Sequence, residues 1–317
     1  MANGGIVMIF DAHTDIFMEV MERHNRGQRF ILDRYYDQFQ ESGTTAGIFV
    51  VYLEPKNQTF DNFSEMFEVG RKDVLQSDHF EIIKTREDFL RKSDRVKVII
   101  GAESMTAIQF EVAILEDFYN KGLRHGMLTW NEENDLATGV GATEAKTGLK
   151  PKGKEFILKM EELGMIIDLS HTNEHTFYDI MHLVKKPVIC SHSNVKALCN
   201  HRRNLTDDQI KEIAARGGVI GVTAVANFIS DNLKKRNVEG FCDHIDYIVK
   251  LVGIDHVGLG MDYMGFNGEN AGNLSGLFNF RHTNKIIDEL VERRYNKTEI
   301  AKILYGNFAR VVEEILN

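Results

Sequence analysis

Residues 164–171, GMIIDLSH, combine a helix stop, a strand and a polar strand end in one short stretch. Gly164 follows a helical pattern and is typical of a helix C-terminus. Positions 165–169 are apolar on nearly every residue instead of alternating, which indicates a strand covered on both faces. Ser170 and His171 then bring polar groups to the strand end. The stretch therefore predicts an α/β protein whose parallel sheet is covered by helices.

The same pattern recurs along the whole chain. Eight short apolar runs are each followed by a polar or glycine-containing junction and then by an amphipathic segment. Eight such units in 317 residues predict a (β/α)8 TIM-like barrel, a single domain over residues 1–317 with rim insertions and a C-terminal helix. A doubly wound sheet is the alternative, because periodicity does not reveal closure. The runs lie at residues 6–10, 46–53, 96–100, 123–129, 165–169, 187–190, 218–223 and 257–261.

The segments between these runs predict helices and loops. Thr206, followed by two aspartates, marks the start of one helix. The predicted helices include residues 62–75, 152–163, 175–184, 206–216, 242–252 and a tail at 297–316. The rim insertions are expected at residues 27–40, 135–147 and 266–281.

Composition and charge exclude several classes of protein. Hydrophobic residues at 43% and charged residues at 27% are typical of an ordinary globular chain. A net charge of −9 repels phosphate backbones and anionic lipids, so neither a nucleic-acid nor a membrane partner is expected. Cys190, Cys199 and Cys242 lack C-x-x-C spacing and are expected to be buried reduced thiols. With no leader segment and no apolar run of roughly 18 residues, a cytoplasmic chain is expected.

Ionisable residues stand at the ends of five of the eight runs. In a parallel barrel the carboxyl ends of the strands carry the chemistry, so these side chains are expected to converge. Imidazole and carboxylate groups suit Zn²⁺ and related divalent ions, and the set exceeds what one catalytic ion needs. Two ions that share a carboxylate would use the whole set. Its members are His13, Asp15, Glu103, His171, His192 and Asp262.

Other polar residues near these positions receive structural interpretations. His13 and Asp15, two positions apart at a strand end, are expected to share a face. Asp11 and Asp168 lie within apolar runs and are expected to support the site through hydrogen bonds. Three further histidines are assigned to the surface: His175, His182 and His201.

Six motifs, in their order and spacing, resemble the membrane dipeptidase (renal dipeptidase) family of dinuclear zinc metallopeptidases, within the amidohydrolase-like barrel group. Each motif is weak alone, but the six together are highly specific and cover essentially the whole chain. They are DAHTD at residues 11–15, GAES at 101–104, GMIIDLSH at 164–171, PVICSHSNVKALCNHRRN at 187–204, HVGLGMD at 256–262 and YGNFAR at 305–310.

The resemblance implies two zinc ions per chain and a role for each matching residue. Asp262 corresponds to the family's acid/base aspartate near the bridging water, and Arg203 to the arginine that binds the terminal carboxylate of the substrate. A planar guanidinium suits that task, because it holds a carboxylate through two hydrogen bonds. The implied ligands are His13 and Asp15 for one ion, His171 and His192 for the other, and Glu103 as the bridge.

The chain departs from the family pattern at two positions. Trp130, in LTWNEEND, stands where the best-known members have a histidine that contacts the substrate near the scissile carbonyl. An indole offers one donor and no titratable base, so Trp130 is expected either to donate a hydrogen bond or to form a cavity wall. Met264 stands where a second aspartate is frequent. Both departures concern substrate scope and rate more than the metal site.

The expected function is hydrolysis of dipeptides, including those with a D-residue at the C-terminal position, by a hydroxide that bridges two zinc ions. Another metal-dependent amidohydrolase, acting on a lactone, cyclic amide or phosphoester, is an alternative, because fold and ligands do not separate these reactions. A second alternative, suggested by Trp130, is a barrel protein that has lost catalytic activity and only binds its ligand. A thiol hydrolase built on Cys190 and His192 lacks a group that orients the base. Dimers are common in the resembled family, which is the only ground for expecting a homodimer.

Overall fold

The computed structural model describes residues 7–142, 146–263 and 272–317. Two of the three predicted rim insertions therefore fall partly outside the described residues, as does the departure at position 264. The strands in the described ranges are β1 (Ile9–Thr14), β2 (Thr44–Tyr52), β3 (Phe80–Ile82), β4 (Val96–Glu103), β5 (Leu123–Gly126), β6 (Ile166–Ile167), β7 (Ile189–Cys190), β8 (Val219–Val222) and β9 (Val257–Leu259).

Helices lie between the strands and cover the outside of the sheet. Those in the described residues are α1 (Ile16–Asn25), α2 (Tyr36–Ser42), α3 (Phe60–Gln76), α4 (Arg86–Leu90), α5 (Val112–Lys121), α6 (Pro151–Leu163), α7 (Glu174–Leu183), α8 (Asp207–Ala215), α9 (Ala226–Ile229), α10 (Val238–Val252), α11 (Asn284–Glu292), α12 (Lys297–Ala301) and α13 (Asn307–Ile315).

Eight of the described strands form the predicted barrel. They are hydrogen-bonded in the order β6-β5-β4-β2-β1-β9-β8-β7, and every pairing is parallel. A parallel bridge between Asp168, next to β6, and Ile189, in β7, joins the two ends of this series. The sheet is therefore a (β/α)8 barrel, and all eight predicted apolar runs contribute a strand to it.

The structure corrects the predicted strands at two places. β1 continues to Thr14, four residues past the predicted end at Phe10, because polar side chains interrupt the apolar pattern without ending the strand. Asp15 lies beyond that strand, at the start of α1, and a register irregularity between Asp11 and Thr14 interrupts strict alternation. The short strand β3, absent from the prediction, pairs with the first half of β4 outside the main order.

The amino-terminal end of the barrel is filled by apolar side chains and covered by the last helix. Alternate residues of β1 and β2, such as Phe10 and Ile48, belong to this inner cluster. The Phe10 and Phe308 rings stack with their centroids 5.5 Å apart, so α13 packs against the barrel interior. A Cβ on Gly258 would lie 2.6 Å from the Phe308 ring, which explains a glycine at this point of β9. Chemistry is consequently confined to the opposite end.

Local signals set the helix boundaries much as the sequence predicts. Gly164 ends α6 with a φ of +72°, and the Thr206 hydroxyl accepts a hydrogen bond from the Gln209 amide at the start of α8. The predicted C-terminal helix is interrupted by one π-helical turn, Lys302–Gly306. Asn307 follows that turn, and its side-chain nitrogen Nδ2 donates hydrogen bonds to the carbonyl oxygens of Ile254 and Val257, both at 2.7 Å. These side-chain bonds anchor the last helix to the strand beneath it.

Two further expectations concern the cysteines and membrane segments. Cys190, Cys199 and Cys242 are all free and buried, as predicted. Across the described ranges, no helix has both the length and the apolar character that a bilayer crossing requires.

Candidate metal centre and substrate cavity

The polar strand ends meet at the carboxyl-terminal mouth of the barrel. His13 lies in the last part of β1 and Glu103 is the final residue of β4. His192 follows β7, His171 follows β6, and Asp262 follows β9. Closure of the sheet thus brings residues from both halves of the chain to one place, as the sequence predicts.

The backbone at this mouth is held in an uncommon conformation at three strand ends. Ser104, His171 and Asp262 have φ values of 74°, 69° and 54°, in the left-handed region that non-glycine residues rarely occupy. Each such residue costs about 1–3 kcal/mol and persists only where neighbouring interactions hold it. For Asp262, the backbone amide donates to the His13 carbonyl oxygen at 3.1 Å. Strain is therefore concentrated where the polar side chains converge.

Glu103 lies between the imidazole rings of the site. Its Oε2 is 3.4 Å from Nε2 of His13, whereas its Oε1 is 2.9 Å from Nε2 of His171 and 3.7 Å from Nε2 of His192. All four side chains are buried. The two oxygens of one carboxylate consequently face different histidines, which is the arrangement a ligand shared by two cations requires.

His171 and His192 direct ring nitrogens at each other. Their Nε2 atoms are 2.9 Å apart, and the Nδ1 of His171 donates to Oδ1 of Asn131 at 3.0 Å. Because an amide oxygen only accepts, the Nδ1 of His171 carries the proton and its Nε2 is a bare lone pair. The Nδ1 of His192 is hydrogen-bonded to the Ser191 hydroxyl at 2.8 Å. Neutral rings oriented in this way are the form that binds metals.

A second group of donor atoms surrounds His13. Its Nε2 is 3.7 Å from Oδ2 of Asp15, is buried, and makes no hydrogen bond within the described part of the chain. Ligand atoms of His13, Asp15 and Asp262 lie within 4.8 Å of one another, as do those of His13, Glu103 and His192. Buried polar atoms are rarely left without partners, so this gap fits a position for a cation. The structure thus brings together all six ionisable residues of the predicted cluster; their roles as ligands stay a prediction.

Burial displaces the pKa values of four side chains in the cluster toward their uncharged forms. Burial, reinforced by neighbouring carboxylates, raises the pKa of Asp262 well above its usual range and also raises that of Asp15. Burial, reinforced by neighbouring positive charges, lowers the pKa values of His171 and His192 well below the usual range. His171 and His192 are thus neutral, and Asp15 and Asp262 resist ionisation. Burial alone would lower the pKa of His13, but the neighbouring Glu103 and Asp15 carboxylates reverse the shift and raise it well above its usual value. A bound cation would stabilise the ionised carboxylates.

Asp168 and Asp11, predicted to support the site, hold the backbone beside the candidate ligands. Oδ1 of Asp168 accepts hydrogen bonds from the amides of Ser170 at 2.9 Å and Ser191 at 3.1 Å. Oδ1 of Asp11 accepts from the amide of Met261 at 2.8 Å and, more weakly, from that of His13 at 3.3 Å. Burial raises the pKa of Asp11 to about 7. Each aspartate therefore ties together two of the strand ends that carry the site.

His125, which the sequence analysis passed over, completes this support. Its Nε2 is 2.9 Å from Oδ2 of Asp168, and both side chains are fully buried. Burial alone would raise the pKa of Asp168, but the hydrogen bond and charge of His125 reverse the shift and lower it. A Cβ on Gly101 would lie 2.4 Å from the His125 ring. One sequence signal could have revealed the pair of His125 and Asp168. It is a histidine within the apolar run of β5, which lies opposite Gly101 of β4.

Arg203 is buried without a counter-ion. Its Nη2 donates to the His192 carbonyl oxygen at 3.1 Å, and its Nε has no partner among the described residues. No carboxylate of the described chain lies within 4.0 Å of the guanidinium, which is 5% exposed. Burial lowers the pKa of Arg203, although the group stays charged. A buried cation is costly unless it is paired, so the position of Arg203 favours binding of an anion beside it.

A cavity of about 850 Å³ opens above the polar cluster, and all the predicted site residues except His13 line it. Trp130 forms part of its wall, half-buried between the Tyr52 ring at 5.6 Å and the His171 ring at 5.7 Å. His201 also lines it and stacks on Phe228 at 4.4 Å. The surface assignment of His201 is therefore wrong, since only tertiary packing brings that loop over the cavity. His175 and His182 are exposed, as predicted.

Curated relatives of the chain include dipeptidases and proteins of unknown activity. An uncharacterised dipeptidase of Schizosaccharomyces pombe is 34% identical over 55% of this chain and 43% of its own length. The dipeptidase tcpJ of Claviceps purpurea is 28% identical over 80% of this chain and 60% of its own length. An uncharacterised protein from the pqqA 5′ region of Klebsiella pneumoniae is 33% identical over 71% of this chain and 84% of its own length. The chain thus spans about half the length of the first two.

Solved structures support the fold over nearly the whole chain. A metallopeptidase described as dipeptidase AC superposes with a TM-score of 0.85 at 20% identity and covers 98% of this chain and 99% of its own. A metallopeptidase of Rhodobacter sphaeroides, solved with a phosphinate mimic of L-Ala-D-Ala, gives 0.84 at 22% identity, with coverage of 98% and 100%. The family model described as membrane dipeptidase (peptidase family M19) matches residues 6–317. The chain belongs to the membrane dipeptidase family, peptidase family M19.

Proposed function

We propose that this protein is a zinc-dependent dipeptidase that hydrolyses small dipeptides, including those with a D-residue at the C-terminal position. The observation that carries the proposal is the position of Glu103, with one oxygen toward His13 and the other toward His171 and His192. Family membership supports a peptidase, and the mimic bound to the Rhodobacter sphaeroides enzyme supports a D-residue.

The donor set fits two zinc ions. Nitrogen and carboxylate oxygen are ligands that Zn²⁺ prefers, and the buried Nε2 of His13 makes no hydrogen bond with any described residue. Bound there, the ions would activate a water molecule near neutral pH and polarise the scissile carbonyl. The residues that would hold them are His13 and Asp15 for one ion, His171 and His192 for the other, and Glu103 for both.

Asp262 is proposed to carry the proton through the reaction. Its side chain shares a hydrogen bond with Asp15, and its pKa is raised well above the usual carboxyl range by burial. A carboxylate with a raised pKa accepts a proton from the attacking water and returns it to the departing amine. The backbone bond from Asp262 to the His13 carbonyl holds the side chain at the cluster.

Arg203 is proposed to hold the free carboxylate of the substrate. The guanidinium lines the same cavity as Glu103 and has no anionic partner in the described chain. A cavity of about 850 Å³ accommodates a dipeptide, since small-molecule sites span roughly 300–1,000 Å³. The terminal carboxylate would supply the charge that burial of the arginine demands.

Metal analysis combined with a substrate panel tests the proposal. The expected result is two zinc ions per chain and hydrolysis of dipeptides. Chelation should remove the zinc and abolish hydrolysis, and added zinc should restore the activity. Hydrolysis of lactones, cyclic amides or phosphoesters alone would favour another metal-dependent hydrolase. Bound zinc without turnover of any compound would favour a barrel that only binds.

Three further expectations belong to the proposal. The chain is proposed to act as one barrel domain over residues 1–317, and the three free cysteines support a reducing compartment such as the cytoplasm. A homodimer is proposed on family grounds alone, and gel filtration coupled to light scattering tests it.

A further inference from the structure

The cavity wall beside Arg203 carries a second guanidinium that the proposed reaction does not use. Arg202 is exposed, lines the cavity, and makes neither an ion pair nor a side-chain hydrogen bond with any described residue. It also borders a small adjoining crevice together with Lys196, whose ammonium likewise has no ion-pair partner in the described chain. Glu174 also borders the crevice and supplies one negative charge there. On the wall of the main cavity, however, Arg202 has no ion-pair partner among the described residues, although the whole protein carries a net charge of −9.

We propose that Arg202 forms a second anion subsite, which receives the side-chain carboxylate of an acidic C-terminal residue of the substrate. This inference rests on the proposed dipeptidase function and names its substrate class. Arg202 and Arg203 are adjacent in sequence, so their Cα atoms are about 3.8 Å apart. Both residues line the same cavity. The two carboxylates of aspartate or glutamate are joined by a short carbon chain, so neighbouring guanidinium groups can hold both.

The rest of that wall suits the carbon chain of such a residue. Val225 and the half-buried Phe228 line the cavity beside the two arginines, and Phe228 packs under both Arg203 and the His201 ring. The guanidinium carbon of Arg203 is 5.6 Å from the centre of the Phe228 ring. This packing fixes the position of Arg203 while Arg202 stays free to meet a substrate. The wall therefore combines an apolar patch with two cations.

Among the described residues, helix α1 contributes no equivalent unpaired charge to the cavity. Glu19 and Glu22 line it, but Glu19 is bonded to Arg23 and Glu22 to Arg26, so each carboxylate is already neutralised. Asn25, which is uncharged, and three methionines, which favour apolar groups, also line the cavity. The charge of the cavity is thus asymmetric, and it favours dipeptides with an uncharged first residue and an acidic second residue. The methionines that line it are Met18, Met21 and Met66.

Hydrolysis of matched dipeptides tests the subsite. Ala-Glu and Ala-Gln, with both D- and L-configured second residues, have nearly the same shape and differ in one negative charge. We expect kcat/KM to favour the glutamate compound about tenfold in the wild type, and R202Q to abolish that preference by lowering kcat/KM for Ala-Glu toward the value for Ala-Gln. The control variant Lys250→Gln removes an exposed lysine on the outer helix α10 and should leave the preference intact.

Binding to the zinc-loaded protein separates this inference from the proposed function. By calorimetry, free glutamate should bind more tightly than free glutamine to the wild type and equally to R202Q, whether or not any dipeptide is hydrolysed. Equal affinities of the wild type for the two amino acids, or a preference that persists in R202Q, would overturn the subsite. Failure of every dipeptide to react, with the binding difference present, would instead count against the dipeptidase function alone.

Discussion

The Nε2 atoms of His171 and His192 lie 2.9 Å apart, closer to each other than the 3.7 Å that separates His192 from Glu103. Since the Nδ1 of His171 is occupied by Asn131, two ring nitrogens face each other with at most one proton to share. With one proton between them they form an N–H···N hydrogen bond, whereas with both Nε2 atoms unprotonated their lone pairs repel unless a cation lies beside them. The pair therefore makes the strongest prediction about metal content.

Replacing His171 by alanine should lower the zinc content from two ions to about one and reduce the stabilisation that zinc provides. At a thousandfold excess over Kd, a ligand specific to the folded state adds about 4 kcal/mol to the free energy of unfolding. Atomic absorption and thermal unfolding with and without zinc measure both effects. His175→Ala is the control, because His175 is exposed on the following helix. Equal zinc content in His171→Ala and the wild type would contradict the assignment.

Asp262→Asn should abolish most turnover while both zinc ions remain bound. The amide has the size of the carboxyl but cannot take up a proton, and loss of a general acid/base costs about 10²–10⁴ in kcat. Steady-state kinetics and metal analysis on the same preparation measure the two properties. Asp255→Asn removes an exposed aspartate that is paired with Lys302 and should leave kcat unchanged. Normal turnover by Asp262→Asn would refute the proton-transfer role.

The barrel was predictable because each strand is apolar on both faces. That signal persists even where a strand is only two residues long, as in β6 and β7. It failed for β3, which is half-exposed and only three residues long, and for the end of β1, where buried polar residues continue the strand. Periodicity reports burial by apolar groups, so it does not register a strand whose interior face is polar.

The polar cluster was predictable for a different reason, since parallel strands place all their carboxyl ends on one side. The side chains that orient the residues of this cluster were not predictable from the sequence. Asn131, Ser191 and His125 act through single hydrogen bonds to a ligand or to its neighbour. Their partners depend on how loops turn after each strand, and a residue pattern contains no information on such distances. For the same reason His201 could not be assigned to the cavity.

Arg203→Ala should reduce kcat/KM about a hundredfold for dipeptides with a free carboxylate, because a charge-assisted interaction with a buried guanidinium is lost. Carboxyl-amidated dipeptides lack that interaction and should be affected far less. Kinetics on each matched pair of substrates gives the ratio directly. If both classes lost activity equally, the arginine would serve the structure of the loop and not the carboxylate.

Trp130 should act as a cavity wall and not as a hydrogen-bond donor. The ring packs between Tyr52 and His171, and a phenyl ring preserves most of that contact. Trp130→Phe should therefore keep kcat within about threefold, whereas Trp130→Ala should raise KM about tenfold through lost apolar contact. A hundredfold fall in kcat for Trp130→Phe would instead indicate that the indole N–H stabilises the developing oxyanion.

His244 should make the protein sensitive to acid at a site that contains none of the proposed metal ligands. Its Nδ1 accepts from the Val195 amide at 3.0 Å and its Nε2 donates to the Ile229 carbonyl oxygen at 2.9 Å, so only the neutral ring fits. Burial lowers its pKa to about 4, against about 6.5 in the unfolded chain. Between these values the unfolded chain binds a proton that the folded chain does not, so stability falls as the pH falls.

The contribution of His244 should lower the free energy of unfolding by about 2 kcal/mol at pH 5 and by roughly 3 kcal/mol below pH 4, at 1.36 kcal/mol for each pKa unit. Denaturant unfolding of metal-free wild type and His244→Gln from pH 7 to pH 4 isolates this contribution, because all other titrating groups are common to both. The variant should be less stable at pH 7, where the two hydrogen bonds are disturbed, and should lose less stability on acidification. His175→Gln, at an exposed site, should follow the wild type. If the free energy of unfolding changed with pH in parallel for the wild type and His244→Gln, protonation of His244 would carry no penalty. The Val195 backbone beside His192 would then not depend on the neutral form of His244.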